Sequence, residues 1–181
     1  AASEILVGAR TFLEVERFDR GPRRGQVMLA AADAEHVGQG TRWVPAVEGL
    51  VRAGLLGAEH LAEVRWLAVF GRWIGNTDMH LGNLSLTLDG TRISGLAPAY
   101  DMLPMAFAPV ANEVVPRTFE PTLDGLGGVP ALEVHAAAVA FWARVAADPR
   151  VSPGFQSIAA SCREALVRLE AGVRWLGAGA P

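Results

Sequence analysis

At 181 residues, with 51% hydrophobic and 19% charged residues, the chain can bury one substantial core and is too apolar to stay disordered over most of its length. A formal net charge of −3 disfavours the basic stripe of a nonspecific nucleic-acid binder, so no direct nucleic-acid binding is expected. The longest apolar stretches, such as 136–143, are too short to span a bilayer and no basic-then-apolar signal opens the chain, so the expectation is a cytoplasmic protein without membrane contact.

In chain order, residues 11–16 (Thr-Phe-Leu-Glu-Val-Glu) read as a short strand. Arg17, Arg20, Arg23 and Arg24 then form a basic cluster around Gly21-Pro22 and Gly25, read as a solvated loop. Helices are expected over 28–37, closed by Gly38, and over 44–53, closed by Gly54. Residues 58–74 place Leu61, Val64, Trp66, Leu67, Phe70, Trp73 and Ile74 at helical spacing, which predicts a core helix. After a polar loop, Leu84 to Leu88 alternates as a half-buried strand, Asp89-Gly90 signals a hairpin turn, and 91–96 can return. Pro98, Pro104, Pro109, Pro116 and Pro121 punctuate a long irregular stretch, and Gly125, Gly127 and Gly128 read as a surface linker because no strand feeds them. Amphipathic helices over 132–147 and 155–176 finish the domain before a frayed tail. The single Cys162 falls on the apolar stripe of the last helix, where a buried inert thiol is expected, and one Cys excludes an internal disulfide.

The polar loop carries the chemistry. Asp78 stands five residues before Asn83, and Asp101 follows eighteen residues later. Phosphoryl transfer asks for a carboxylate that orients a hydroxyl and accepts its proton, and for an amide oxygen and a second carboxylate that hold Mg²⁺ on the phosphates. The five-residue step from base to metal-binding Asn is that of a kinase catalytic loop, although Thr77 replaces the usual Arg and Tyr100 and Met102 flank the later Asp. The competing reading is a turn in which Asp and Asn hydrogen-bond their own backbone. His80 could likewise cap a turn or pair with Asp78, Tyr100 could be a core phenol, and Glu16 and Asp19 could pair with Arg17 and Arg20 on a surface strand.

The string Asn76-Thr77-Asp78-Met79-His80-Leu81-Gly82-Asn83-Leu84-Ser85 resembles the catalytic segment of HipA-like serine/threonine kinases of bacterial toxin–antitoxin systems, and Tyr100-Asp101-Met102-Leu103-Pro104 resembles their metal-binding segment. Val15-Glu16-Arg17-Phe18-Asp19-Arg20 is similar to the family's hinge, and the spelling is closest to the YjjJ-like subgroup, whose members carry an N-terminal helix-turn-helix region. The resemblance implies a mainly α, protein-kinase-like C-terminal lobe with a small β-hairpin after the catalytic loop: residues 1–20 as the end of the N-lobe and hinge, residues 21–181 as the lobe itself. It implies Asp78 as catalytic base, Asn83 and Asp101 as Mg²⁺ ligands, and Glu16, Arg17, Phe18, His80, Leu81, Gly82 and Tyr100 with Asn83 and Asp101 about the ATP. It further implies a bacterial protein substrate such as an aminoacyl-tRNA synthetase, and a helix-turn-helix partner, either an antitoxin or the protein's own N-terminal region. All 16 basic residues are Arg, so the phosphate-pairing Lys and phosphate loop of a kinase are expected on an N-lobe ahead of this chain, and the chain by itself is expected to be inactive. Two rival readings are an aminoglycoside-kinase type of small-molecule phosphotransferase, disfavoured by the Arg-Phe-Asp-Arg hinge, and a noncatalytic docking module with a kinase shell.

Overall fold

The computed structural model describes residues 2–7, 10–15, 24–111, 113 and 115–177. Two antiparallel strands, β1 (Ala2–Val7) and β2 (Arg10–Val15), pair with each other. Strand β3 (Arg24–Met28) leads directly into α1 (Leu29–His36), followed by α2 (Trp43–Arg52) and α3 (Ala58–Trp73). Strands β4 (Ser85–Asp89) and β5 (Arg92–Leu96) form the expected hairpin, with Gly90 at φ 61 in its two-residue turn. One-turn 3-10 helices at Leu81–Asn83 and Met105–Phe107 flank this hairpin in sequence, and α4 (Ala131–Ala147) and α5 (Pro153–Gly177) close the order.

The sheet corrects the expected architecture. β3 pairs antiparallel with β4, giving a three-stranded sheet in the order β3-β4-β5, so the chain is a mixed α/β domain and not a helical lobe with a lone hairpin. Arg24, expected at the end of a solvated loop, starts this strand and pairs with Asp89 across the ladder. Its five residues include Gly25 and Gln26, too short and too polar a run to announce a strand. Pairing with β4 supplies the stabilisation that intrinsic propensity does not.

Two apolar clusters share α3. Val64 belongs to one with Leu29, Trp43, Val47, Leu50, Leu84 and Leu86, where α1 and α2 meet the sheet. Val69 and Trp73 belong to the other, with Val134, Trp142, Cys162 and Leu166 from α4 and α5. A helix that buries residues in two clusters must be apolar over much of its circumference, as the crowding of Trp66, Leu67, Phe70 and Trp73 required. Trp142 is fully buried, with its ring edge-on to Phe107 and to Phe141 at centroid distances of 5.9 and 5.2 Å. Buried polar atoms are paired: His135 Nε2 lies 2.8 Å from the Leu166 carbonyl, and no buried side-chain nitrogen or oxygen among the described residues lacks a partner. Between α4 and α5, Arg150 bonds Asp148 through both its backbone N–H and its guanidinium, and these bonds hold the carboxyl down at about 2. Cys162 is buried and its thiol is pushed up to about 12 by loss of solvent, which suits the expected inert role. Among the described residues no helix is long and apolar enough to cross a membrane.

Candidate functional site

The end of α3 sets the geometry of the polar loop. Gly75 adopts φ 73, its N–H bonds the Arg72 carbonyl at 3.1 Å, and the Asn76 N–H reaches back to the Gly71 carbonyl at 2.8 Å. This pair of bonds is a Schellman motif, in which the residue after the cap takes the left-handed conformation that glycine adopts without steric cost. The last carbonyl of the helix, that of Trp73, is claimed from the core by Trp142 Nε1 at 2.9 Å. The chain therefore leaves α3 at a fixed angle, with Asn76 as its first loop residue.

Asn76 is only 4% exposed and its amide is used at both ends. Oδ1 accepts the backbone N–H of Asp78 at 2.9 Å, and Nδ2 donates to the Asp101 carbonyl at 3.4 Å, a long and correspondingly weak bond. One buried side chain thus ties the segment bearing Asp78 to the segment bearing Asp101. Asn83, at the end of the 3-10 turn, donates Nδ2 to both the Asp78 carbonyl at 2.9 Å and the Asp78 Oδ2 at 3.3 Å. That orientation leaves its Oδ1 outside the contact with Asp78. His80 caps the same turn, Nδ1 accepting from the Gly82 N–H at 2.9 Å, while Nε2 lies 3.7 Å from Asp78 Oδ1. Both alternatives weighed for His80 are therefore realised by its two ring nitrogens. The Asp78 side chain remains 46% exposed, so its pairing with His80 is screened by water and weak.

Tyr100 fastens the second segment. Its hydroxyl donates to the Gly82 carbonyl at 2.9 Å, so the 2.7 Å contact with the fully buried Ser85 must be donated by the serine. Tyr100 on one side and the bond from Asn76 on the other bracket Asp101, which sits at φ 56 with its side chain toward solvent. A non-glycine residue in the left-handed region is uncommon, though Asp tolerates it better than most, and such residues gather where function dictates the backbone.

The described structure brings together Asp78, His80, Gly82, Asn83, Tyr100 and Asp101 through these contacts. Leu81 differs in that its side chain is buried in the core, so only its backbone can face a ligand. Glu16, Arg17 and Phe18, the expected hinge contacts, lie outside the described residues. Among the described residues no three His, Cys, Asp or Glu side chains form a group able to hold a metal ion. Three supporting residues were not anticipated. Asn76 could have been found, since an Asx side chain two residues before a loop carboxylate is a turn signal. Ser85 closes the string that resembles the family's catalytic segment, but its bond to Tyr100 had no local signal, and Trp43 had no signal at all. Trp43 Nε1 donates to the His80 carbonyl at 2.7 Å from 37 positions away in sequence. The loop that delivers Trp43 is itself anchored by the buried Asp33, whose carboxylate accepts the N–H groups of Gln39 at 3.1 Å and Gly40 at 2.7 Å.

Comparison with known proteins agrees with the motif. Toxin YjjJ of Escherichia coli (strain K12) is 33% identical over 185 aligned residues, which cover 97% of this chain and 41% of that protein, so the chain spans about two-fifths of the relative's length. Residues 1–168 match the family described as the HipA-like C-terminal domain, and with nearly the whole chain covered, the chain belongs to that family.

Proposed function

We propose that this domain is the catalytic lobe of a protein serine/threonine kinase, acting with ATP and Mg²⁺ in a longer protein. The observation that carries the reading is the Asn76 amide, which couples the Asp78 loop to the Asp101 segment across 25 positions of sequence. Asp78, half-exposed and oriented by Asn83 and by the Asn76 turn, would accept the proton of a substrate hydroxyl. Asn83 Oδ1 and the Asp101 carboxylate are hard oxygen donors, and two protein oxygens suit a cation that keeps waters and takes its other ligands from substrate phosphates. This donor set fits Mg²⁺. When bound, Mg²⁺ would supply neutralisation of phosphate charge. Tyr100 and Ser85 keep the turn around Gly82 fixed while this happens, and the Trp43 indole restrains the His80 carbonyl. The substrate is read as a bacterial protein. The naming of the relative as a toxin supports a toxin–antitoxin setting. The helix-turn-helix partner, an antitoxin or the protein's own N-terminal region, belongs to the proposal through the motif resemblance alone.

Calorimetric titration of the full-length protein with Mg²⁺-ATP tests the assignment. Asp101→Ala should weaken binding roughly tenfold or more, one charged metal ligand being lost, while Asp78→Asn should leave it within about twofold. Unchanged affinity in Asp101→Ala would remove Asp101 from the metal site.

A further inference from the structure

Beside the catalytic turn, a cavity of about 500 Å³ opens between the start of α2, the middle of α3 and the loop preceding α4. Its wall is apolar, with Trp43, Pro45, Val69 and Met79, and its charged lining is three guanidinium groups, Arg42, Arg65 and Arg72, against the single carboxylate of Glu48. Arg65 spends one N–H on Glu48 at 2.6 Å and Arg72 donates to the Asp124 carbonyl, but a guanidinium carries five N–H donors, so both retain unused ones. The Arg42 side chain is exposed, and its guanidinium makes no hydrogen bond or ion pair with the described residues. Gly125 closes one side at φ 70, and a Cβ there would stand 3.1 Å from Arg72 Nη2, so a glycine is what lets the loop lie over the guanidinium.

The cavity adjoins the segment that carries the candidate base. Met79 follows Asp78 directly, and Trp43, which lines the cavity, is the residue that holds the His80 carbonyl. The proposed Mg²⁺ ligands Asn83 and Asp101 do not line it. A site with excess cationic donors, apolar walls and a position beside the base, apart from the metal ligands, is complementary to an anionic side chain carried by the phosphoacceptor polypeptide. The geometry points to this cavity as a subsite for a carboxylate or phosphate on a residue near the acceptor Ser or Thr, which makes acidic or already phosphorylated segments the substrate class. This inference rests on the reading of Asp78 as the base of a protein-directed transfer.

The test reads binding without chemistry. Fluorescence anisotropy of the full-length protein would use labelled Ser-containing peptides of one sequence, carrying Glu, phosphoserine or Gln three residues before or after the acceptor. The expected result is at least about tenfold tighter binding of a Glu or phosphoserine peptide than of the Gln peptide, equivalent to about 1.4 kcal/mol. Preference for Glu alone or phosphoserine alone identifies the anion as carboxylate or phosphate. Arg42→Glu should erase the preference while Mg²⁺-ATP affinity is kept. Equal binding of all three peptides, or a preference that survives Arg42→Glu, overturns the subsite. The same titration in Asp78→Asn, with its phosphoryl-transfer rate measured beside it, separates the two claims: if the acid preference persists while that variant still transfers phosphate at the wild-type rate, the base assignment fails and the anion site stands.

Discussion

Asp78→Asn in the full-length protein lowers phosphoryl transfer to a protein substrate by a factor on the order of 10²–10⁴, the usual contribution of a positioned general base. The substitution is nearly isosteric, so the turn survives: the Asp78 backbone N–H still reaches Asn76 Oδ1, and its carbonyl still accepts from Asn83. What disappears is the anionic oxygen that can orient and deprotonate a hydroxyl. The loss should therefore fall on kcat, with the affinity for Mg²⁺-ATP little changed. Initial rates of transfer from γ-labelled ATP, wild type against variant, measure it. Equal rates would take Asp78 out of the role assigned to it.

Trp142→Ala should destabilise the domain by about 3–5 kcal/mol through lost burial and the cavity left behind. A further ~1–3 kcal/mol follows from stranding the carbonyl that its indole now satisfies. That carbonyl belongs to Trp73, the last residue of α3, so the damage reaches the helix end from which the Asp78 loop departs. Against a typical domain stability of about 5–15 kcal/mol, a loss of this size leaves little of the folded state. Trp142→Phe separates the two contributions, since it keeps most of the apolar contact with Phe107 and Phe141 but removes the N–H. Urea unfolding of the 181-residue domain reads both variants. A shift below about 1 kcal/mol for Trp142→Ala would mean that the second core is not organised around this ring.

What the sequence disclosed depended on the range of the interaction concerned. Helix α3 was legible because its apolar residues recur with helical period over four turns and stop at a glycine suited to the left-handed cap. The β4-β5 hairpin was legible from alternation on either side of Asp89-Gly90. Strand β3 was not, because Arg24-Gly25-Gln26 carries no strand preference and its formation depends on β4, about sixty residues later in the chain. Within the site, the spacing of Asp78, Asn83 and Asp101 pointed to a shared locus, and Asn76 and Tyr100 supply the bonds that draw the segments together. The roles of Trp43, Ser85 and Asp33 were invisible, since each acts through a polar contact with a backbone or side-chain group that no local pattern pairs with it. The burial of Leu81 was hidden for a related reason. This residue sits in the motif, yet its side chain serves the core under the turn.

In the proposed function, Asn83 and Asp101 hold the cation on the nucleotide while Asp78 stays free for the hydroxyl. A crystal structure of the full-length protein with Mg²⁺ and a non-hydrolysable ATP analogue tests it most directly. The expected result is Mg²⁺ at about 2.0–2.1 Å from Asn83 Oδ1 and from an Asp101 carboxylate oxygen, with Asp78 outside the coordination shell. A nucleotide bound with its metal remote from both residues would contradict it.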